Sequence, residues 1–216
     1  MHAFRDIEVA AYCPRKLYYR QQNPPQDVPD EVATIRELAF AYDRLLTDDA
    51  ALLAAPVAVD PGQFRDRLRA ARDRLDAWDA LARPPAREVF LEGRECRGRA
   101  HKVLEDPLAP SLVFAGSPPD EGVWEPQTAR LVAAAKALSW EREEGVDRAF
   151  AEYPAHGVVR EIELTARRRG IYRRAVRTAD TLDGPPSRID SDAKCEPCEY
   201  REQCGTRTRS LRSLLP

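Results

Sequence analysis

Four cysteines near the two ends of the chain constrain this sequence more than any other feature. Cys195, Cys198 and Cys204 form a C-x2-C-x5-C run close to the C-terminus, and Cys13 stands alone near the start. Three clustered thiols closed by a fourth from the opposite end can make a four-thiolate metal site. Such a site requires the terminal segments to meet, so any fold between them must return the chain to its beginning. On spacing alone, zinc and an iron–sulfur cluster both fit.

Disulfides are the competing use of these thiols. Residues 1–6 lack a basic-then-apolar signal pattern, and no apolar run approaches the length of a membrane span. The expected setting is cytoplasmic and reducing, where five cysteines are poor material for disulfides. Cys96 lies among residues that read as a strand and is expected to be a buried free thiol. At 216 residues, 43% hydrophobic and 32% charged, the chain has enough material for one sizeable domain.

Periodicity divides the interior. A short helix leads to Cys13, and Pro14 suits the first turn of a second, with Leu17 and Tyr18 facing a core. Val32, Ile35, Leu38, Ala39, Tyr42, Leu45 and Leu46 predict a helix from Asp30 to about Leu53. Phe64, Leu68, Ala71, Leu75, Trp78 and Leu81 predict another over 62–82. After Arg83-Pro84-Pro85 the period becomes two, predicting paired strands over 87–92 and 95–104 around Gly93 and a short buried strand over 111–115. A core helix over 124–144, anchored by Trp124, strands over 149–153 and 158–164, and a basic helix over 165–182 follow. This order predicts an α/β fold with a mixed central sheet. We expect a single domain over 1–216: segments 1–22 and 183–216 together form the metal lobe, 30–82 a helical segment and 86–182 the αβ core.

A net charge of −2 gives no global attraction to nucleic acid, so a polyanion site must come from local clustering. Arg167, Arg168, Arg169, Arg173, Arg174 and Arg177 lie between Thr165 and Ala179 with no acid among them, and the tail adds Arg207, Arg209 and Arg212. Beside Cys13 stand Arg15 and Lys16.

The stretch Ala11-Tyr12-Cys13-Pro14-Arg15-Lys16-Leu17-Tyr18-Tyr19 and the run from Lys194 to Cys204 resemble the end motifs of the CRISPR-associated RecB-like exonucleases, the iron–sulfur branch of the PD-(D/E)XK nuclease superfamily. The resemblance implies a 4Fe-4S cluster on Cys13, Cys195, Cys198 and Cys204 in a C-terminal iron–sulfur lobe, with zinc as the alternative. It also implies N-terminal helices and a restriction-endonuclease-like core in αβββαβ order. Phosphodiester hydrolysis in such a core needs strand carboxylates that hold a divalent metal and a lysine beside them. Here the family's pattern departs at every catalytic element. No histidine lies between His2 and His101; Gly98-Arg99-Ala100-His101 carries histidine where Gly-x-x-Asp is expected; the Glu-x-Lys positions fall on Leu112 and Phe114; and the Gln-x-x-x-Tyr positions fall on Arg130 and Ala134. Segment 110–117 contains no acid and no lysine, so a divalent metal at the nuclease site and catalytic residues are not expected. A substitute site from His101, Glu105 and Asp106 is the alternative there.

The leading expectation is therefore a catalytically inactive iron–sulfur protein that binds DNA, single-stranded or at ends, or serves as an accessory protein in CRISPR adaptation or DNA repair. Arg15, Lys16, Arg167, Arg168, Arg173 and Arg174 are the candidate phosphate contacts, and Tyr18 and Tyr19 candidate base-stacking rings, although at least one of the tyrosines is expected in the core. Alternatives are an active metal-dependent single-strand exonuclease and a zinc-stapled protein-interaction module using Trp124 and the Pro118-Pro119 turn.

Overall fold

The break at Arg83-Pro84-Pro85 separates helices from sheet in the computed structural model, which describes residues 1–24 and 28–205. Ahead of it lie a two-residue strand, β1 (His2–Ala3), and helices α1 (Phe4–Tyr12), α2 (Pro14–Gln22), α3 (Asp30–Glu37), α4 (Tyr42–Thr47), α5 (Asp49–Ala54), α6 (Pro61–Arg74) and α7 (Trp78–Ala82). Cys13 is extended, with φ −162° and ψ 115°, and Pro14 opens α2, so the chain turns a corner at the first cysteine.

The two long helices expected over 30–53 and 62–82 are each broken. Asp48 takes its carboxylate to the Ala51 N–H and caps α5, and Leu75 becomes extended after α6. The buried stripe nonetheless runs through the breaks: Leu75, Trp78 and Leu81 are all buried. A stripe of this kind reports which side meets the core, and a helix–turn–helix satisfies it as well as one straight rod.

After the break come β2 (Ala86–Glu92), β3 (Cys96–Glu105) and β4 (Leu108–Val113), an antiparallel meander. Helix α8 (Glu125–Arg142) crosses over to β5 (Arg148–Tyr153), which lies parallel to β4, and β6 (Val158–Glu163) closes the edge antiparallel to β5. With β1 parallel to β3, this is a mixed six-stranded sheet in an α/β fold. Helices α9 (Ala166–Asp180), capped by the Thr165 hydroxyl, and α10 (Asp192–Cys195) follow. Strand β4 starts earlier than expected because Pro110 is tolerated: at that point β5 has not yet begun to pair, and a residue without an N–H fits a strand partnered on one side.

Helices α1, α8 and α9 pack on one face of the sheet, around Phe4, Ile7, Leu17, Leu91, Leu112 and the alanines of α8. On the other, α4 to α7 close over Leu104, Val113, Phe150 and Val159. Trp124 is not the anchor of α8 expected from the sequence. It stands at the N-cap, 50% exposed, with its indole N–H on the Ser117 carbonyl, because α8 is held by its alanine surface one turn further on. Neither Tyr18 nor Tyr19 is fully buried; Leu17 alone takes the core position of α2.

Two features fix the layers. Gly98 lies beneath the Phe4 ring, where an added Cβ would come within 2.6 Å of Phe4 Cδ2. Gly98→Val is expected to push α1 off the sheet and cost about 1–3 kcal/mol by overpacking, read as a lower denaturation midpoint with an unchanged slope. On the opposite face Lys102 is fully buried, and its ammonium donates to the Ala39 carbonyl at 2.7 Å, the Leu81 carbonyl at 2.8 Å and Glu152 Oε2 at 2.6 Å. All three protons are thus used, tying β3 and β5 to both ends of the α4–α7 layer.

Candidate functional site

The chain ends meet at the cysteines. Cys13 is the N-cap of α2 and Cys195 closes α10, while Cys198 and Cys204 sit in successive turns held by Cys198 N–H to Cys195 O at 3.2 Å and Cys204 N–H to Tyr200 O at 2.8 Å. All four thiols are free and line one cavity. A reciprocal pair of hydrogen bonds locks the residues beside the first two: the Tyr12 hydroxyl donates to the Lys194 carbonyl at 3.2 Å, and Lys194 Nζ to the Tyr12 carbonyl at 3.1 Å. Further ties are Tyr19 hydroxyl to Gln203 O at 3.1 Å, Tyr200 hydroxyl to Asn23 O at 3.3 Å, and the stacked rings of Tyr19 and Tyr200.

Every charged side chain lining this cavity is a cation: Arg15, Lys16, Arg188, Lys194 and Arg201. Burial and then the neighbouring thiols Cys13, Cys204 and Cys198 push the Cys195 thiol up, and Arg188 pulls it down. Burial, then the thiols Cys198, Cys13 and Cys195, raise Tyr12. Such mutual repulsion means that thiolates gathered here need a positive counter-charge, which a bound metal centre and the surrounding cations both supply. The donor set, soft sulfur without a lining carboxylate, fits an iron–sulfur cluster or zinc. Among the described residues, no group of three or more His, Cys, Asp or Glu side chains closes to single-ion distances.

The six arginines and lysines singled out from the sequence divide into two groups. Arg15 spends its guanidinium on the Pro186 carbonyl at 3.0 Å and the Tyr19 hydroxyl at 3.4 Å, and Lys16 pairs with Glu199 at 3.4 Å. Both help to close the cysteine lobe. Arg168 donates to the Glu163 carbonyl and Arg174 pairs with Glu125 at 3.3 Å. Arg167 and Arg173 are exposed and have no partner among the described residues, as is the case for Arg177 one turn after Arg173. The outward face of α9 therefore carries guanidiniums that no described residue pairs. The tail cations Arg207, Arg209 and Arg212 lie outside the described residues.

At the positions where the nuclease pattern would place catalysis, Leu112 and Phe114 are buried. His101 is buried too, and its Nδ1 accepts the Val113 N–H at 3.0 Å, replacing a ladder acceptor where β3 and β4 part. Burial, then Arg130, Arg36, Lys102 and Arg99, push its pKa down to about 2. It is a satisfied strand histidine in its neutral form. Glu105 turns instead to Arg142 at 2.9 Å, and Asp106 lies in the β3–β4 turn. The carboxylate that does reach this region was not singled out from the sequence: Glu8 of α1 pairs with buried Arg130 of α8 at 3.2 Å, and Arg130 lies over the Phe114 ring. Only the packing of α1 across α8 reveals it. Cys96, beneath α9, is buried with its Sγ 3.3 Å from the Tyr172 hydroxyl.

The His101 environment has a pH consequence. Its folded pKa lies below its ordinary value of 6.5, so the unfolded chain binds the proton first as pH falls. The contribution is whole above pH 6.5 and is lost progressively towards pH 2, at up to about 1.4 kcal/mol per pH unit. His101→Gln, which keeps an acceptor for Val113 but does not titrate, is expected to flatten that part of the stability-against-pH curve.

No protein-family model matches the chain, and no curated protein matches it. Among solved structures, it is similar to the crystal structure of SSO0001, with 15% identity, a TM-score of 0.44, and coverage of 93% of this chain and 86% of that one. In the described residues no helix is long and apolar enough to cross a membrane.

Proposed function

We propose that this chain is an iron–sulfur, PD-(D/E)XK-like DNA-binding protein that does not cut DNA, related to the CRISPR-associated RecB-like exonucleases and acting as an accessory protein in adaptation or repair. The observation that carries this reading is the meeting of Cys13, Cys195, Cys198 and Cys204 around one cavity ringed by cations. These four thiolates would hold a 4Fe-4S cluster, and zinc is the competing occupant. The bound group supplies a covalent tie between the chain's two ends. The order of α1, β2, β3, β4, α8 and β5 also follows the αβββαβ plan of the nuclease core.

Loss of cutting rests on Leu112, Phe114 and the engaged His101, which leave no strand carboxylates to hold magnesium at the expected positions. The polyanion surface is the outward row on α9, with Arg167 and Arg173 making the direct contacts. Arg168 and Arg174 flank them, and Arg15 and Lys16 keep the metal lobe closed beside them. A cytoplasmic, reducing setting keeps the thiols available.

The test is fluorescence anisotropy with a labelled single-stranded oligonucleotide across a salt series, beside a nuclease assay in magnesium and manganese. Expected is binding that weakens steeply with salt and no cleavage. Arg167→Ala combined with Arg173→Ala should reduce the log K against log salt slope by about 1.4, from about 0.7 for each phosphate contact on single strands. Cleavage that His101→Ala abolishes would replace this reading with an active exonuclease, and salt-insensitive protein association with a zinc-stapled interaction module.

A further inference from the structure

The region that faces the engaged His101 holds more positive charge than its own partners neutralise. Arg5 and Arg130 share one carboxylate, Glu8, at 3.4 and 3.2 Å, and Arg99 leans on Glu88 at 3.7 Å. Arg36, in the last turn of α3, is half-buried and makes no hydrogen bond or ion pair with the described residues. Its Nε is buried without a partner, and so is Nε of Arg130, a residue only 8% exposed. A buried donor left unmade is costly, and two of them on electrostatically coupled guanidiniums call for an acceptor that the described residues do not provide.

The charges sense one another. Arg5 and Arg36 both push the Arg130 guanidinium down, after burial and against Glu8, and Arg36 is lowered by burial and by Arg5 while Glu88 and Glu8 oppose the change. Four guanidiniums therefore meet Glu8 and Glu88, with Glu37 coupled to Glu88 beside them, and one cation is left in excess, which favours an anion. Helix α3, which carries Arg36, has no fully buried residue and packs on the 3-10 turns Leu38–Phe40 and Pro154–His156. Arg36 is thus held over this region by a lightly anchored helix, and exposed Arg5 and Arg99 continue the charge to the surface.

We propose that Arg36 and Arg130, with Arg5 and Arg99 at the rim, form a metal-independent site for one phosphate group of a nucleic-acid strand. A guanidinium offers the forked, permanent charge that phosphate oxygens accept, and here it stands where a nuclease of the resembled kind would use a metal ion to meet the same group. The proposal rests on the reading that the chain binds DNA, and deepens it by naming a contact. Glu8 remains as the counter-ion that keeps Arg130 in place when no phosphate is bound.

The experiment uses the full, metal-loaded chain in EDTA, with a labelled oligothymidylate and, separately, inorganic phosphate as probes. Arg36→Ala is chosen because Arg36 is half-buried and lies outside both hydrophobic cores, and Arg36→Lys asks whether charge alone suffices. The expected result is about tenfold weaker DNA binding in Arg36→Ala with a salt slope smaller by about 0.7, partial recovery in Arg36→Lys, and a phosphate-induced rise in melting temperature that Arg36→Ala lacks. Wild-type affinity and slope in Arg36→Ala, while Arg167→Ala with Arg173→Ala still weakens binding, would overturn this site and leave the DNA-binding reading standing. If the wild type does not bind the oligonucleotide at all, that reading fails, and the phosphate arm decides alone. Stabilisation lost in Arg36→Ala upholds the anion site, and equal or absent stabilisation in the two proteins overturns it.

Discussion

Lys102→Met is expected to destabilise the fold by about 3–5 kcal/mol, the usual cost of removing one member of a buried ion pair. The change leaves the Glu152 carboxylate in a fully buried position facing Ser111, with its counter-charge gone. It also strips the Ala39 and Leu81 carbonyls of their shared donor, so two layers lose a common tie. Methionine fills a similar volume, and packing is therefore not the source of the loss. Adding Glu152→Gln to Lys102→Met removes the unpaired charge and should return about 2 kcal/mol or more, measured as the coupling in a double-mutant cycle from urea titrations. The recovery stops short of wild type because the two carbonyls remain unpaired. Near-additive costs for the two substitutions would mean that Lys102 acts through its carbonyl contacts and that the ion pair is incidental.

The second large effect concerns the cysteine lobe, where the metal centre is proposed. Cys13→Ala is expected to abolish metal loading and release segment 183–205 to proteolysis, while the two hydrophobic cores survive. The lobe outside its thiols is held by few and partly exposed contacts: the Tyr12–Lys194 pair, the Tyr19 and Tyr200 hydroxyls, Arg15 on the Pro186 carbonyl, and Lys16–Glu199 at the surface. Exposed ion pairs contribute about 0–1 kcal/mol each, so without a metal centre the lobe opens locally before the sheet does. Limited proteolysis followed by mass spectrometry should show early cuts after the C-terminus of α9 in the variant and protection in the wild type. Equal protection in both would mean that hydrogen bonds alone close the lobe.

Periodicity revealed the parts of the fold that repeat along the chain, and it failed where a single distant partner decides the outcome. The corner at Cys13 and Pro14, the meander after Pro85 and the crossover helix α8 follow from local chemistry: a helix-opening proline, alternation around Gly93, and a long alanine-rich run. Strand β1 has only two residues and no period to show. Lys102 reads as an ordinary strand lysine until the sheet register sets it against Ser111, one strand from Glu152. Glu8 and Arg130 are 122 positions apart, and only the crossing of α1 over α8 joins them. At the candidate site the cysteine set was legible from spacing because its chemistry admits few uses. The arginines were not, since composition cannot separate Arg15, spent on a carbonyl, from Arg173, which has no partner among the described residues.

The most direct test of a cluster-bearing chain is an iron and acid-labile sulfide assay with a visible spectrum on anaerobically purified protein, beside Cys198→Ala. The account predicts about four irons and four sulfides per chain in a brown wild type, with both lost in the variant. One zinc per chain and a colourless protein would contradict it, leaving a zinc-tied α/β domain whose relation to the iron–sulfur nucleases no longer stands.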